Sequence, residues 1–353
     1  MLIIITNVTE LQAMENDLTA DYELSNNIDA SATSGWNSGA GFDPVGSSGS
    51  EFTGSFDGKG YTINNLYINR PTERGVGLFG YTDGAGEIKN VGIVNCDITG
   101  EKYVGALVGG SETNDTSFTN CYSTGSITAG SSTTTTASVG GLFGYVGAPV
   151  EDCYSTCSVN VAGGSGKVLN IGGLIGTLLS GGVTRSYATG DVIVTGDGDI
   201  ESIGGLIGLD LSSSGSISKC YSTSDISVTA GDEVYAIGGF IGDNSVRPYS
   251  DCYARGSVTV VASSPEASSG FIGGFIGLNY PSVNIDNCYS TGLLTITDGV
   301  PFVGGFCGGN YGTITNCFWN ISTSGMIISD GGTGKATAQM KTRQTFVDAG
   351  WSI

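Results

Sequence analysis

Few residues of this 353-residue chain have side chains that commonly perform acid–base or nucleophilic chemistry. The chain contains no histidine, 13 Lys and Arg, 33 Asp and Glu, and nine Cys. Without histidine, a polysaccharide lyase would need a Lys or Arg base beside metal-binding carboxylates. A glycoside hydrolase would need two carboxylates roughly 5 to 10 Å apart. The charged residues are scattered along the chain, and their order suggests neither arrangement.

The best-matched carboxylates are Asp152 and Asp251, which occupy the same place in a repeated segment. Two intervening copies carry Arg185 and Lys219 at that place, so the two carboxylates lie three copies apart. We therefore predict that the protein is not an enzyme. A polysaccharide-active lyase or hydrolase is the alternative, with its cleft formed by insertions between the repeats.

One acidic cluster offers oxygen atoms of the kind that Ca²⁺ binds. It consists of Asp197, Asp199 and Glu201. The cluster does not recur in other copies and fits no calcium-loop template. We interpret it as a solvated turn, so we expect no metal and no cofactor.

Most of the nine cysteines share one position of the repeat. Ser186 occupies that position in one copy, which suits a buried row limited to small side chains but would break a disulfide or metal scheme. No CxxC pair is present, and the usual zinc sites would lack their histidine ligands. We predict a buried row of free thiols, with Cys157 and Cys307 outside its register. The predicted members are Cys96, Cys121, Cys153, Cys220, Cys252, Cys288 and Cys317.

A tyrosine follows the cysteine in most copies. Because successive side chains of a strand point to opposite faces, these rings are expected outside if the thiols lie inside. We favour stacking between neighbouring copies, and binding of sugar rings to the ring faces is the alternative. The predicted ladder consists of Tyr122, Tyr154, Tyr187, Tyr221, Tyr253 and Tyr289, with Phe318 in the last copy.

A third row is apolar, and the residue after each member is apolar too. Both residues cannot face inward on a regular strand. Either a bulge at the tandem glycines turns both inward, which we favour, or the row is an exposed stripe for assembly. Its members are Leu78, Leu107, Leu142, Leu174, Leu206, Phe240, Phe275 and Phe306.

Three recurring segments must position these rows. A Gly-rich segment such as residues 139–144 (VGGLFG) recurs eight times at spacings of 28 to 35 residues. A Cys-Tyr segment such as residues 120–125 (NCYSTG) keeps step with it, and a third segment alternates apolar and polar residues. Such alternation predicts strands. The sequence therefore predicts an all-β fold, a single parallel β-helix (β-solenoid) of about eight to nine three-stranded coils and roughly 40 Å in length.

The ends of the chain differ from its middle. We predict an N-terminal cap over residues 1–50, the solenoid over residues 51–325 and a C-terminal cap over residues 326–353. A capping box at residues 9–12 (TELQ) predicts one short helix, and residues 337–346 predict another. Both helices are expected to cover the open ends of the hydrophobic column. Trp351 is expected to pack against a neighbouring molecule, since chain ends otherwise fray.

The recurring GGLIG and CYSTG segments, together with residues 56–60 (FDGKG) and 338–341 (AQMK), resemble the GLUG-motif repeat family. The resemblance covers residues 10–350 approximately. It implies a parallel β-helix of the kind found in bacterial surface, secreted and phage-encoded proteins as adhesive or spacer modules. It implies no common catalytic residues. The sequence shows no export signal, so we also expect that the protein could be a component of a virion.

Charge and hydropathy restrict the partners. A net charge of −20 opposes binding to nucleic acids and anionic membranes, and no apolar run approaches the roughly 18 residues of a membrane helix. We predict a structural or adhesive module of a virion fibre or extracellular surface appendage, with other protein subunits and surface glycans as partners. A glycan- or ice-binding surface protein is the second alternative. Thr295 and Thr297 suggest an ice-binding array, which Ile193 and Val261 interrupt.

Overall fold

A computed structural model describes residues 2–84, 86–113, 115–130, 134–212, 214–245, 247–262, 270–297 and 300–352 of the chain. These residues form one stack of β coils with about nine turns. The strands of successive coils pair in parallel, as in the pairing of Val150–Glu151 with Val183–Thr184. The predicted all-β solenoid is therefore confirmed.

Four ladders of strands run along the stack. The first precedes the Cys-Tyr segment in each coil, and the second contains that segment and the alternating segment after it. The first ladder consists of Leu2–Ile5, Asp21–Leu24, Phe56–Asp57, Glu87–Lys89, Ser117–Thr119, Val150–Glu151, Val183–Thr184, Ile217–Ser218, Tyr249–Ser250, Asn284–Asp286 and Thr313–Thr315. The second consists of Ile28–Asp29, Thr62–Asn64, Tyr67–Asn69, Gly92–Gly100, Tyr122–Ala129, Tyr154–Ser155, Ser158–Ala162, Tyr187–Ala188, Val192–Gly196, Tyr221–Ser222, Ile226–Ala230, Tyr253–Ala254, Val258–Ala262, Tyr289–Ser290, Leu294–Thr297, Phe318–Asn320 and Thr333–Lys335.

The Gly-rich segment forms the other two ladders, one on each side of its bend. The third ladder consists of Arg74–Val76, Lys102–Val104, Thr136–Gly140, Val168–Gly172, Ile200–Gly204, Ala236–Gly238, Phe271–Gly273 and Phe302–Gly304. The fourth consists of Phe79–Thr82, Val108–Ser111, Phe143–Val146, Ile175–Leu178, Ile207–Asp210, Ile241–Asn244, Ile276–Asn279 and Cys307–Asn310.

A central coil such as residues 150–178 therefore contains five short strands, where the sequence predicts three. The Gly-rich segment is divided by a bend of two residues, Gly173 and Leu174 in this coil. The fifth strand is Val150–Glu151, which precedes the cysteine corner, and the break at Thr156 and Cys157 separates the Cys-Tyr segment from the alternating segment as the sequence predicts. The register of the coils follows the predicted repeat, and the alternating segment remains one strand, Ser158–Ala162 in this coil.

The third and fourth ladders pack against each other through a row of glycines, which we call the glycine row. A Cβ atom added to any member would lie 2.4 to 2.6 Å from a backbone nitrogen of the third ladder in the preceding coil. Tightly packed interiors cannot absorb such overlap without moving the backbone. The glycine row consists of Gly109, Gly144, Gly176, Gly208, Gly242, Gly277 and Gly308.

The bend also decides the orientation of the apolar row. All eight of its members are fully buried, from Leu78 to Phe306, and so are the residues that follow them, from Phe79 to Cys307. Both rows thus face inward, as the favoured alternative predicted, although a corner between two ladders and not a bulge directs them there, and the exposed assembly stripe is wrong. The chain bends between the third and fourth ladders, at Gly141 and Leu142 in one copy, so both side chains reach the core.

The N-terminal cap is close to the prediction. A helix at Val8–Gln12 and a 3₁₀ helix at Ala13–Asn16 bury Leu11 and Met14 in the main core. The helix begins two residues earlier than predicted, because the side chain of Asn7 accepts a hydrogen bond from the Glu10 N–H at 3.0 Å. Two further 3₁₀ helices follow at Ser31–Gly35 and Asn37–Gly39.

The C-terminal end is closed differently from the prediction. Strand Thr333–Lys335 pairs with Phe318–Asn320, and the Ser329 hydroxyl accepts a hydrogen bond from the Cys307 N–H at 2.9 Å. These residues cover the last coil. The helices Thr337–Met340 and Arg343–Val347 therefore pack on the side of the solenoid, and a further helix lies at Ile321–Ser324.

Candidate functional site

The cysteine position forms one corner of the solenoid. The residue before it has a left-handed backbone with φ between 49° and 56° in seven successive copies, from Asn120 to Asn316. The Cys153 thiol donates to the carbonyl of Glu151 at 3.3 Å, and its sulfur accepts the Cys121 N–H at 3.4 Å. Ser186 makes the equivalent hydrogen bonds with its hydroxyl. The side chain at this position therefore supplies polar partners at a turn where the strand pairing is interrupted.

All nine cysteines are free and buried, so the prediction of a buried thiol row is confirmed for six of its seven members. Burial raises the pKa of Cys153, Cys220 and Cys288 well above the usual range, which keeps these thiols protonated. Protonated, buried thiols are poor nucleophiles. The row therefore serves packing and the corner hydrogen bonds.

The placement of Cys96 in this row is wrong. Gly92 is in register with Tyr122, so the residue equivalent to Cys121 is Val91. Cys96 is in register with Gly125, and its sulfur lies 3.9 Å from that of Cys157. The Asn-Cys pair at 95–96 resembles the repeated pair at 120–121 in residue type but lies after the equivalent position, and one extra residue follows Ile93 in this strand.

The tyrosine ladder is a continuous stack on the outside of the second ladder. From Tyr122 to Tyr289, successive ring centres lie 4.6 to 5.1 Å apart with planes within 10° of parallel. Tyr122 covers Gly92, where an added Cβ would lie 2.3 Å from the ring. Each inner ring is covered on both faces by its neighbours. The stacking interpretation is thus supported, and binding of sugars to the ring faces is disfavoured.

The C-terminal segment covers the last ring of the tyrosine ladder. The Trp351 ring centre lies 6.1 Å from Phe318 and 4.9 Å from Phe346, and its Nε1 donates to the carbonyl of Asn316 at 2.8 Å. Tyr289 also contacts both Phe346 and Trp351. Trp351 therefore packs on its own chain, and it does not need the neighbouring molecule that the sequence suggested.

Three of the acidic residues considered for catalysis or metal binding contact cations, namely Asp152, Asp199 and Glu201. Arg185 binds Asp152 at 2.7 Å and also pairs with Glu151, whereas Asp251 accepts a weak hydrogen bond from Asn287 at 3.4 Å. The solenoid thus keeps Asp152 and Asp251 apart, as predicted.

Lys167 occupies the acidic cluster suggested for Ca²⁺. Its ammonium lies 2.9 Å from Asp199 and 2.7 Å from Glu201. Within the described ranges, no group of three or more His, Cys, Asp or Glu residues is arranged to hold a metal ion. The hydroxyl array considered for ice binding is interrupted in the observed register, since Ile193 lies beside Ser227 and Val261 beside Thr297.

One buried ionic cluster has no counterpart in the sequence prediction. Asp210 is fully buried, with Arg247 Nε at 3.0 Å, the Tyr249 hydroxyl donating at 2.8 Å and the Ser212 N–H donating at 3.0 Å. Arg247 also donates to the carbonyl of Gly181, two coils back. Burial raises the pKa of Asp210 to about 6, although Arg247 opposes the rise. The cluster fixes the corner between the fourth and first ladders. The sequence repeat did not indicate it, because the residue in register with Asp210 in the preceding coil is Leu178.

Asp243 is the most anomalous carboxyl group. It is 6% exposed, and its Oδ1 has no hydrogen-bond partner among the described residues. The residues in register on either side are Leu209 and Leu278. Burial raises its pKa to about 7, and the carboxylates of Asp210 and Glu201 contribute. A charged Asp243 therefore destabilises the fold, whereas a leucine at this position would pack like Leu209 and Leu278.

Replacing Asp243 with leucine is expected to stabilise the protein in a pH-dependent way. The folded-state pKa lies above the unfolded value near 4, so the folded state binds more protons and wild-type stability falls as pH rises from about 4 to about 7. Asp243→Leu removes this loss, which amounts to up to about 4 kcal/mol at pH 8. Urea unfolding at pH 4 and pH 8 measures the difference. Asp191→Leu, at an exposed carboxylate, is the control and should show no comparable pH dependence. An equal effect of Asp243→Leu at both pH values would contradict the assignment.

Comparison with known proteins agrees with this architecture. The model of the GLUG motif matches residues 100–128. Halomucin of Haloquadratum walsbyi is 41% identical over 148 residues, which are 40% of this chain and 2% of halomucin. A protein of Evansella cellulosilytica, provisionally named a Gly-rich membrane protein, is 36% identical over 116 residues, which are 31% of this chain and 13% of that protein. The chain thus spans only a small part of both relatives.

A solved structure shares the fold over nearly the whole chain. The Bacteroides ovatus protein, provisionally described as an immunoglobulin A1 protease, superposes with a TM-score of 0.57 over 98% of this chain and 86% of its own, at 18% identity. At that identity the likeness concerns the fold alone. The motif match, the relatives and the parallel coils together confirm the predicted relationship, and the chain is a β-helix repeat protein that carries the GLUG motif.

Proposed function

We propose that this chain is a non-enzymatic structural or adhesive module that acts at a cell surface. The observation that carries the proposal is the uninterrupted stacking of about nine coils around one core, which makes a rigid spacer. The name of the Evansella relative supports a surface location. A virion fibre, the other location considered, draws no support from these relatives. Among the described residues, no helix is long and apolar enough to cross a membrane.

The charge distribution also supports a spacer. Two of the buried or candidate carboxylates are paired with cations, Asp152 with Arg185 and Asp210 with Arg247. The protein as a whole carries a charge of −20, which keeps a long β surface soluble and discourages edge-to-edge pairing.

Location and turnover test this proposal separately. Gold-labelled antibody on intact cells of the source organism is expected to mark the outer surface, and labelling confined to permeabilised cells would contradict the location. Purified protein incubated with a panel of polysaccharides should release neither reducing ends nor unsaturated products. Turnover that is lost in Asp152→Asn or Asp210→Asn would establish the lyase or hydrolase alternative instead.

We also propose that copies of the chain associate at the C-terminal end of the column. Three apolar side chains are exposed there: Phe302 at 47%, Ile327 at 86% and Ile328 at 65%. Phe302 and Ile328 line the same cleft beside the last coil. Clusters of exposed apolar residues commonly mark protein interfaces.

Charge introduced at this patch is expected to block the association. Ile328→Lys should abolish a dimer or larger species that light scattering detects for the wild type at physiological salt. Ile193→Lys is the matched control, because Ile193 is an exposed isoleucine on the side of the solenoid. A wild-type monomer at high micromolar concentration, or equal effects of the two substitutions, would refute the interface.

A further inference from the structure

A lateral cleft of about 570 Å³ lies where the tyrosine ladder meets the C-terminal helices. One wall comes from the last coils, with Arg255, Tyr289 and Thr291, and the opposite wall comes from Lys341 and Phe346 of the C-terminal segment. The cleft exists because those helices pack on the side of the solenoid. It is separate from the buried ionic cluster and from the patch at the end of the column.

The charge of the cleft is opposite to that of the molecule. The chain carries 33 acidic and 13 basic residues, yet the described residues that line this cleft include two cations and no carboxylate. In the part of the chain that the structure describes, neither Arg255 nor Lys341 forms an ion pair with an acidic residue, in contrast to Arg185 and Lys167. Two unpaired cations in a strongly acidic protein point to an anionic ligand.

Arg255 is held in a fixed orientation. Its guanidinium carbon lies 4.8 Å from the ring centre of Tyr253 and 5.7 Å from that of Tyr289, and Nη2 donates to the Tyr289 hydroxyl at 2.6 Å. This is one of five N–H donors of the guanidinium group. The pre-oriented fork can therefore bind a carboxylate in bidentate fashion at a reduced entropic cost.

The remaining walls determine the class of anion. Tyr289, Phe346 and Met340 supply apolar surface, whereas Thr291, Thr323 and Asn320 supply hydroxyl and amide groups. An inorganic anion would make no use of the apolar wall. A carboxylated sugar ring would use both walls, with its C–H face on the aromatic side and its hydroxyls on the polar side.

We propose that this cleft binds the carboxylated sugar unit of an acidic polysaccharide. Arg255 and Lys341 bind the carboxylate, and Phe346 contacts the ring. This site differs from the sugar-binding mode considered for the tyrosine ladder, because the ligand occupies a cleft and needs no free face within the stack. The proposal does not depend on the surface location, so binding can succeed or fail independently of it.

Calorimetric titration of the full chain tests the assignment, with a galacturonate trimer, a neutral glucose trimer and sodium sulfate as probes. The galacturonate trimer is expected to bind, and more weakly as salt rises. The neutral trimer and sulfate are each expected to bind at least tenfold more weakly. Equal binding of the neutral trimer, or tighter binding of sulfate, would overturn the assignment of a carboxylated sugar.

Variants locate the site. Arg255→Gln and Lys341→Gln should each weaken binding of the galacturonate trimer about tenfold, and Arg255→Lys should not restore it fully because the fork is lost. Arg74→Gln is the control, since Arg74 is a 59% exposed cation near Glu101 on another ladder. Thermal melting identifies variants that are simply unfolded. If the folded Arg255→Gln variant and the folded Lys341→Gln variant both bind the galacturonate trimer with wild-type affinity, the site is refuted.

Discussion

The close approach of the third and fourth ladders is the constraint on which the rest of the solenoid depends. Each member of the glycine row lies where a Cβ would come within 2.6 Å of a backbone nitrogen in the preceding coil. Because the two ladders approach so closely, the bend between them is sharp. The sharp bend directs two consecutive apolar residues into the core, and this doubles the side chains that each Gly-rich segment buries.

The corners of the coil require a different solution, because strand pairing is interrupted there. At the cysteine corner a left-handed residue turns the chain, and a thiol or hydroxyl satisfies backbone groups on both sides. At the corner before the first ladder, Arg247 and Asp210 bridge three coils through a buried ion pair. Such a pair contributes little net stability but is costly to break on one side. Small and polar side chains thus define the shape of the coil, and the apolar rows fill it.

The repeat was sufficient to predict the parallel solenoid, the inward thiols and the outward tyrosines, because each of these follows from period-two alternation and regular spacing. The division of each coil into five strands did not follow from it, since bends at tandem glycines depend on contacts with the neighbouring coil. Cys96 was misplaced because the pair Asn95-Cys96 matches the repeat locally, although it follows the position in register with Cys121, which is Val91. The buried residues Arg247 and Asp243 and the cleft at Arg255 are formed by side chains that occur in one copy of the repeat. The repeat pattern therefore contains no signal for them.

The glycine row sets the distance between the third and fourth ladders, and substituting one of its members tests this dependence. Gly176→Ala would place a Cβ 2.5 Å from the backbone of Gly144 and Val139, whereas Gly35→Ala would meet nothing within 4 Å. We expect Gly176→Ala to lower the free energy of unfolding in urea by at least about 2 kcal/mol and Gly35→Ala to change it by less than about 1 kcal/mol. Equal stabilities of Gly176→Ala and the wild type would show that the ladders can separate freely, and would contradict this account of the fold.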